Sequence, residues 1–160
     1  MLQNTETLTR FYSALQKLDY ETMADCYHAD ATFRDPVFQL HTKNEITAMW
    51  KMLCLRAKEF ELNFSDIQAD DDSGSAHVEA YYLFSQIGRK VHNKIDAAFR
   101  FKDGKIVDHL DTFSFWRWSR MALGIPGYVL GFTPLLKKKV QNEASKNLKA
   151  FIAKNQSKQT

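Results

Sequence analysis

The sequence predicts an α+β fold, with helices leading and covering one face of a curved, mainly antiparallel sheet. Three observations carry this. Through residue 57, apolar side chains recur at the three- and four-residue spacing of helices, interrupted by one short strand. From Phe60 to Phe115 the pattern alternates residue by residue, the period of half-buried strands. Turn signals at Asp70-Asp71-Asp72-Ser73-Gly74, Gly88-Arg89-Lys90 and Asp103-Gly104 divide that stretch into four strands.

Residues 5–18 form the first predicted helix, with Leu8, Phe11, Tyr12, Leu15 and Leu18 on one stripe and Arg10, Gln16 and Lys17 outside. A short second helix covers about 20–28, with Met23, Ala24 and Tyr27 inside. A strand ending at Asp35 follows. Thr42-Lys43-Asn44-Glu45 is a capping box, with Thr42 as N-cap. It opens a third helix to about Ala57, striped by Ile46, Met49, Trp50 and Leu53. The meander strands are expected at 60–69, 76–86, 91–102 and 105–115. A linker holding Gly124, Pro126, Gly127, Gly131 and Pro134 leads to a last helix of about 135–154. Its stripe is Leu136, Val140, Ala144, Leu148, Phe151 and Ile152. Residues 1–117 are read as one domain, and 118–160 as an extension packed on it.

A chain of 160 residues can bury a sizeable core, and 44% hydrophobic with 26% charged residues is ordinary for a soluble domain. The net charge of +3 is unevenly spread: residues 137–160 hold seven Lys and one Glu, and the rest holds 15 basic and 18 acidic residues. A mildly acidic body gives no reason to expect nucleic acid. Cys26 and Cys54 fall on separate predicted helices and read as buried small apolar groups of a reduced, cytoplasmic chain. Met1 to Glu6 carries no basic or apolar leader pattern, and Gly127 to Leu136 is too short to span a membrane.

Asp35 carries the chemistry at the first strand. Alternation puts Ala31, Phe33 and Asp35 on one face, and Pro36 ends regular pairing. A carboxylate on an apolar face finds partners or is pushed up in pKa, to roughly 5–7 for a buried catalytic acid. The alternative is an Asp-Pro dipeptide that only forms a turn. No nucleophile elbow, zinc-helix or phosphate-loop motif occurs, and His28, His41, His77 and His92 fall on different elements. Neither metal nor cofactor is expected.

Two motifs then carry a resemblance. His28-Ala29-Asp30-Ala31-Thr32-Phe33-Arg34-Asp35-Pro36-Val37 and Phe99-Arg100-Phe101-Lys102-Asp103-Gly104-Lys105-Ile106-Val107-Asp108-His109 resemble the nuclear-transport-factor-2-like superfamily. Within it the chain looks closest to the ketosteroid isomerases and the SnoaL-like polyketide cyclases. The resemblance spans residues 5–115 and implies a cone: three helices against a strongly curved sheet, a pocket at the open end, and a homodimer through the outer sheet face. It puts the isomerases' general base on Asp35. It puts their two oxyanion donors on Phe11 and Ala97, which cannot donate. Tyr12 is one step, about 100°, around its helix, and Asp96 falls on the opposite strand face. The R-x-D of the limonene-epoxide-hydrolase branch is missing, since Arg100 is followed by Phe101 and Lys102.

The last strand offers replacements. His109, Asp111, Phe113 and Phe115 share a face, which the hairpin likeness turns toward the cavity. The expected site is therefore Asp35, His109 and Asp111, walled by Phe11, Tyr12, Phe33, Trp50, Phe99, Phe101, Phe113 and Trp116. Asp35 or Asp111 would remove a proton from an apolar carbonyl compound, and His109 would donate to the oxyanion, giving a cofactor-free isomerase, cyclase or hydrolase. The alternative is a non-catalytic ligand-binding or scaffold protein that uses the same pocket, with His109 and Asp111 satisfying each other and the tail docking to a partner or membrane surface. The extension is expected to cross the mouth of the cone. Contact of its basic C-terminal helix with a membrane surface is a further option.

Overall fold

These periodicities become the expected layers in a computed structural model that describes residues 2–84 and 87–159. The first three helices are α1 (Leu2–Gln16), α2 (Tyr20–Asp25) and α3 (Lys43–Arg56). The strands are β1 (Tyr27–Arg34), β2 (Gln39–Leu40), β3 (Glu61–Ala69), β4 (Ser73–Phe84), β5 (Arg89–Lys102) and β6 (Lys105–Thr112). They form a six-stranded sheet in the order β2-β1-β6-β5-β4-β3. All pairs are antiparallel except β1 with β6. The α+β expectation is borne out. Ser85 and Gln86, the end of the predicted 76–86 strand, lie outside the described residues.

The core sits between helices and sheet. Leu8 and Phe11 of α1, Ile46 and Met49 of α3, Phe33 of β1 and Ile106 of β6 are all 1% exposed or less. Helix α1 starts three residues earlier than its apolar stripe suggested, because polar anchors extend it. The Asn4 amide donates to the Asp70 and Asp71 carbonyls at 2.8 and 3.1 Å, and the Thr7 hydroxyl to the Gly104 carbonyl at 2.8 Å. Thr42 caps α3 through the Glu45 amide at 3.2 Å, and Glu45 reaches back to the His41 amide at 3.0 Å. Both cysteines are free and buried.

The largest departure lies after β6. The strand ends at Thr112, and the expected linker contains two helices, α4 (Phe115–Leu123) and α5 (Ile125–Leu130), before α6 (Pro134–Gln156). Ser114 caps α4 by accepting the Arg117 amide at 3.2 Å. Gly124 ends it at φ 69°, a left-handed value that favours glycine. Gly127 lets α5 lie against α4, because a Cβ there would run into the Ser119 carbonyl. Gly127→Ala is therefore expected to prise the two helices apart and cost about 1–3 kcal/mol; urea denaturation reads this directly, and an unchanged midpoint would contradict it. Helix α6 lies against α3 and buries Leu148 in the main core. Its Gln141 amide donates to the Pro36 carbonyl at 2.9 Å.

Candidate active site

Strand β6 lies in the middle of the sheet, so its inward side chains meet residues from both halves. His109 stands beside Phe33 of β1 and Phe99 of β5, and Asp111 stands opposite Ala97. Alternation sends Asp108 the other way, where the Thr32 hydroxyl donates to it at 2.6 Å. Above His109 and Asp111 opens a mainly apolar cavity of about 590 Å³ that also takes in Asp35, Tyr12, Trp50, Asn93 and Phe113. The two carboxylates and the histidine thus converge on one cavity.

His109 is fully buried. Its Nδ1 is 2.7 Å from the Tyr27 hydroxyl and its Nε2 is 2.8 Å from Asp111 Oδ1. The Tyr27 oxygen already accepts from Trp50 Nε1 at 3.0 Å. Tyr27 is itself fully buried, so its own proton has His109 Nδ1 as its acceptor, which leaves the Nε2 side of the ring to donate to Asp111. The relay runs from Trp50 through Tyr27 and His109 to Asp111. Both ring nitrogens are engaged, so the expected donation from His109 to an oxyanion would require its bond to Asp111 to break.

Asp35 serves two purposes. Its Oδ1 accepts the Val37 and Phe38 amides at 2.7 and 2.6 Å, which makes the Asp-Pro turn. Burial nevertheless raises its pKa to about 6, against the pull of those amides and with a further push from the Asp111 charge. The turn and the cavity-facing acid are the same residue.

Tyr12 is the feature that sequence reasoning placed only on the wall. It is 3% exposed and its hydroxyl has no hydrogen-bond partner among the described residues. Burial, and then the charge of Asp111, hold its pKa well above the usual phenol value. It stays a donor, and it lines the cavity. The signal was present: a phenol on an apolar helical stripe must find an acceptor. Tyr27, the other residue missed as functional, was read as core of the second helix. Tyr82, pushed up to about 12 mainly by burial, accepts from Trp118 Nε1 at 2.9 Å on another wall.

The other expected wall residues separate into two groups. Trp50, Phe113 and Tyr12 line the cavity. Phe11, Phe33 and Phe99 lie behind it, clasping the His109 ring at centroid distances of 5.7, 4.9 and 4.4 Å, and Phe101 stacks behind Phe99 at 6.4 Å. Trp116 is not in the wall: the helical turn at α4 swings it outward, 42% exposed, under the Arg120 guanidinium at 4.2 Å. Trp118, two residues on, takes its place. Leu123 and Pro126 near α5, and Leu136 and Val140 of α6, complete the far side.

Residues 8–109 match the SnoaL-like domain. Comparison with curated proteins returns no match. Among solved structures, the chain is similar to an LEH-like epoxide hydrolase from M. tuberculosis, at 19% identity and TM-score 0.65, covering 85% of this chain and 96% of that one. It is also similar to IdmH, a proposed polyketide cyclase from Streptomyces antibioticus, at 19% identity and TM-score 0.64, covering 77% and 99%. A protein of ketosteroid-isomerase-like fold from Catenulispora acidiphila DSM 44928, in complex with trimethylamine, aligns at 12% identity and TM-score 0.66, covering 76% and 95%. At such identities the likeness establishes the shared fold.

Proposed function

The chain belongs to the SnoaL-like domain family, and on that footing we propose that its cavity carries out cofactor-independent proton transfer on an apolar carbonyl compound. One observation carries the reading. Tyr12, whose buried hydroxyl has no partner among the described residues, and Asp35, whose pKa burial raises to about 6, belong with Asp111 to the lining of one apolar cavity. Asp35 takes the proton from carbon next to the carbonyl, and the electron pair moves onto the oxygen. Tyr12 donates its hydrogen bond to that oxyanion. Protonated Asp35 then returns the proton at another carbon, which is isomerisation, or the enolate carbon attacks a second carbonyl of the same molecule, whose π pair moves onto its oxygen and takes the proton from Asp35, which is cyclisation. Asp111, held in place by His109, is the second acid/base group. The cavity volume suits a drug-sized ligand.

Tyr12→Phe tests this. In D₂O, exchange of the α-protons of apolar enolisable ketones is expected to slow about a hundredfold. Thermal stability should hold or rise, because the variant removes a buried hydroxyl with no partner. Equal exchange rates in the two proteins would take Tyr12 out of the mechanism. The second reading, a binding protein using the same cavity, is favoured by the saturation of His109 by Tyr27 and Asp111. It predicts tight binding of the same ketones with no exchange by the wild type.

A further inference from the structure

The segment from Phe115 to Leu135 turns one side to the cavity and a different surface outward. On that outer surface Ile125, Tyr128, Val129, Leu130, Phe132 and Leu135 are between 45% and 78% exposed. Soluble proteins seldom expose so many large apolar side chains in one short stretch. Beside them is a second concavity, of about 320 Å³, lined by Arg89, Lys90, Arg117, Arg120, Met121 and Tyr128. None of its four cations forms an ion pair among the described residues. Arg120 lies against Trp116 at 4.2 Å and Tyr128 at 5.4 Å, and its buried Nε has no acceptor among the described residues. No acidic residue occurs between Asp111 and Glu143, and Lys137, Lys138 and Lys139 follow directly. A second copy of the same surface would be repelled by like charge, which leaves an anionic, apolar-backed partner as the complement.

We propose that α5 and its flanks dock on an anionic phospholipid bilayer, with Tyr128, Phe132 and Leu135 entering the interface and the Arg89, Lys90, Arg117 and Arg120 pocket taking a headgroup phosphate. Guanidinium groups pair with phosphate oxygens two at a time, and aromatic side chains settle at the level of the headgroups. Beyond its first turn, which supplies Leu135, α6 is not part of the docking element, because its apolar stripe is engaged with the body: Leu148 is 3% exposed, and Phe151 and Ile152 pack on the core. Trp118, Leu123 and Pro126 of this same segment line the central cavity, so the bilayer and the cavity lie on two sides of one short stretch of chain.

Flotation of the full chain with vesicles tests the proposal. The wild type is expected to float with phosphatidylcholine vesicles containing phosphatidylglycerol, to stay behind with phosphatidylcholine alone, and to be released by high salt. Lys90→Gln with Arg117→Gln, and separately Phe132→Ser with Leu135→Ser, should each lower the partition coefficient about tenfold or more. Circular-dichroism melts of these surface variants should match the wild type. Failure of the wild type to float with anionic vesicles overturns the proposal, as does flotation that neither double variant weakens. Binding of inorganic phosphate without vesicle binding would make the pocket a soluble-anion site, and loss of a dimer in the variants without vesicle binding would make the surface a protein contact; either result also overturns it. Flotation is read without turnover, so its outcome is separate from that of the cavity chemistry.

Discussion

Asp35→Asn is expected to slow α-proton exchange roughly a thousandfold, within the range for removing a general base, while making the folded protein more stable at neutral pH. The asparagine Oδ1 can still accept the Val37 and Phe38 amides that hold the turn, so the backbone has no reason to move. What disappears is the burden of a carboxylate in an apolar cavity. The folded pKa is about 6, above the ordinary 3.8. Between those values the folded protein keeps a proton that the unfolded chain has already released. Stability therefore falls as pH rises through that window and stays lower above it, by at most about 3 kcal/mol. The asparagine variant lacks this slope. Calorimetric melts at about pH 4.5, inside that window, and about pH 7.5, above it, should converge for the variant and separate for the wild type. The wild-type exchange rate should in turn rise to a plateau as Asp35 ionises near pH 6. A pH-independent rate, or a destabilised asparagine variant, would remove Asp35 as the base.

His109→Ala is expected to lower the melting temperature by about 10 °C, from a loss of roughly 3–5 kcal/mol. The imidazole is fully buried and clasped by Phe11, Phe33 and Phe99. Its removal leaves a void among those rings, strips the Tyr27 hydroxyl of its acceptor and leaves Asp111 without its donor. Tyr27→Phe separates packing from hydrogen bonding. It retains the ring but leaves Trp50 Nε1 and His109 Nδ1 without their partner, and should cost about 1–3 kcal/mol, less than His109→Ala. If His109→Ala melted within 2 °C of the wild type, a shift worth less than about 1 kcal/mol for a chain of this size, the relay would not be holding the centre of the sheet together.

Local patterns made much of this legible. Val91, Asn93, Ala97, Phe99 and Phe101 alternate inward along β5, and the same period put His109 and Asp111 on one face. Asp96 was expected outside, and it is found there, bonded to His77 at 2.8 Å. What escaped depends on long separations. Tyr27 and His109 are 82 residues apart, and no window of sequence reveals that they bond. The two-residue β2 is too short to have a period. In α4, the glycines and the proline that follow it were taken as punctuation of a loop, although Ser114, Trp118 and Ala122 follow helical spacing. The resemblance set a missing carboxyl on Ala97; the residue directly across the ladder from Ala97 is Asp111. A cross-strand neighbour can thus occupy space that a comparison of single positions records as vacated.

The parallel seam of β1 with β6 has a further consequence, for the order in which the molecule is made. Before β6 emerges from a ribosome, β1 and β2 share no ladder with β3, β4 and β5. Any sheet formed before then is limited to two separate fragments, whose facing edges would keep unpaired amides and carbonyls. Eight residues, Lys105 to Thr112, close the gap between those edges from both sides in a single insertion. Until then there is no centre to the sheet, and the floor of the hollow is absent.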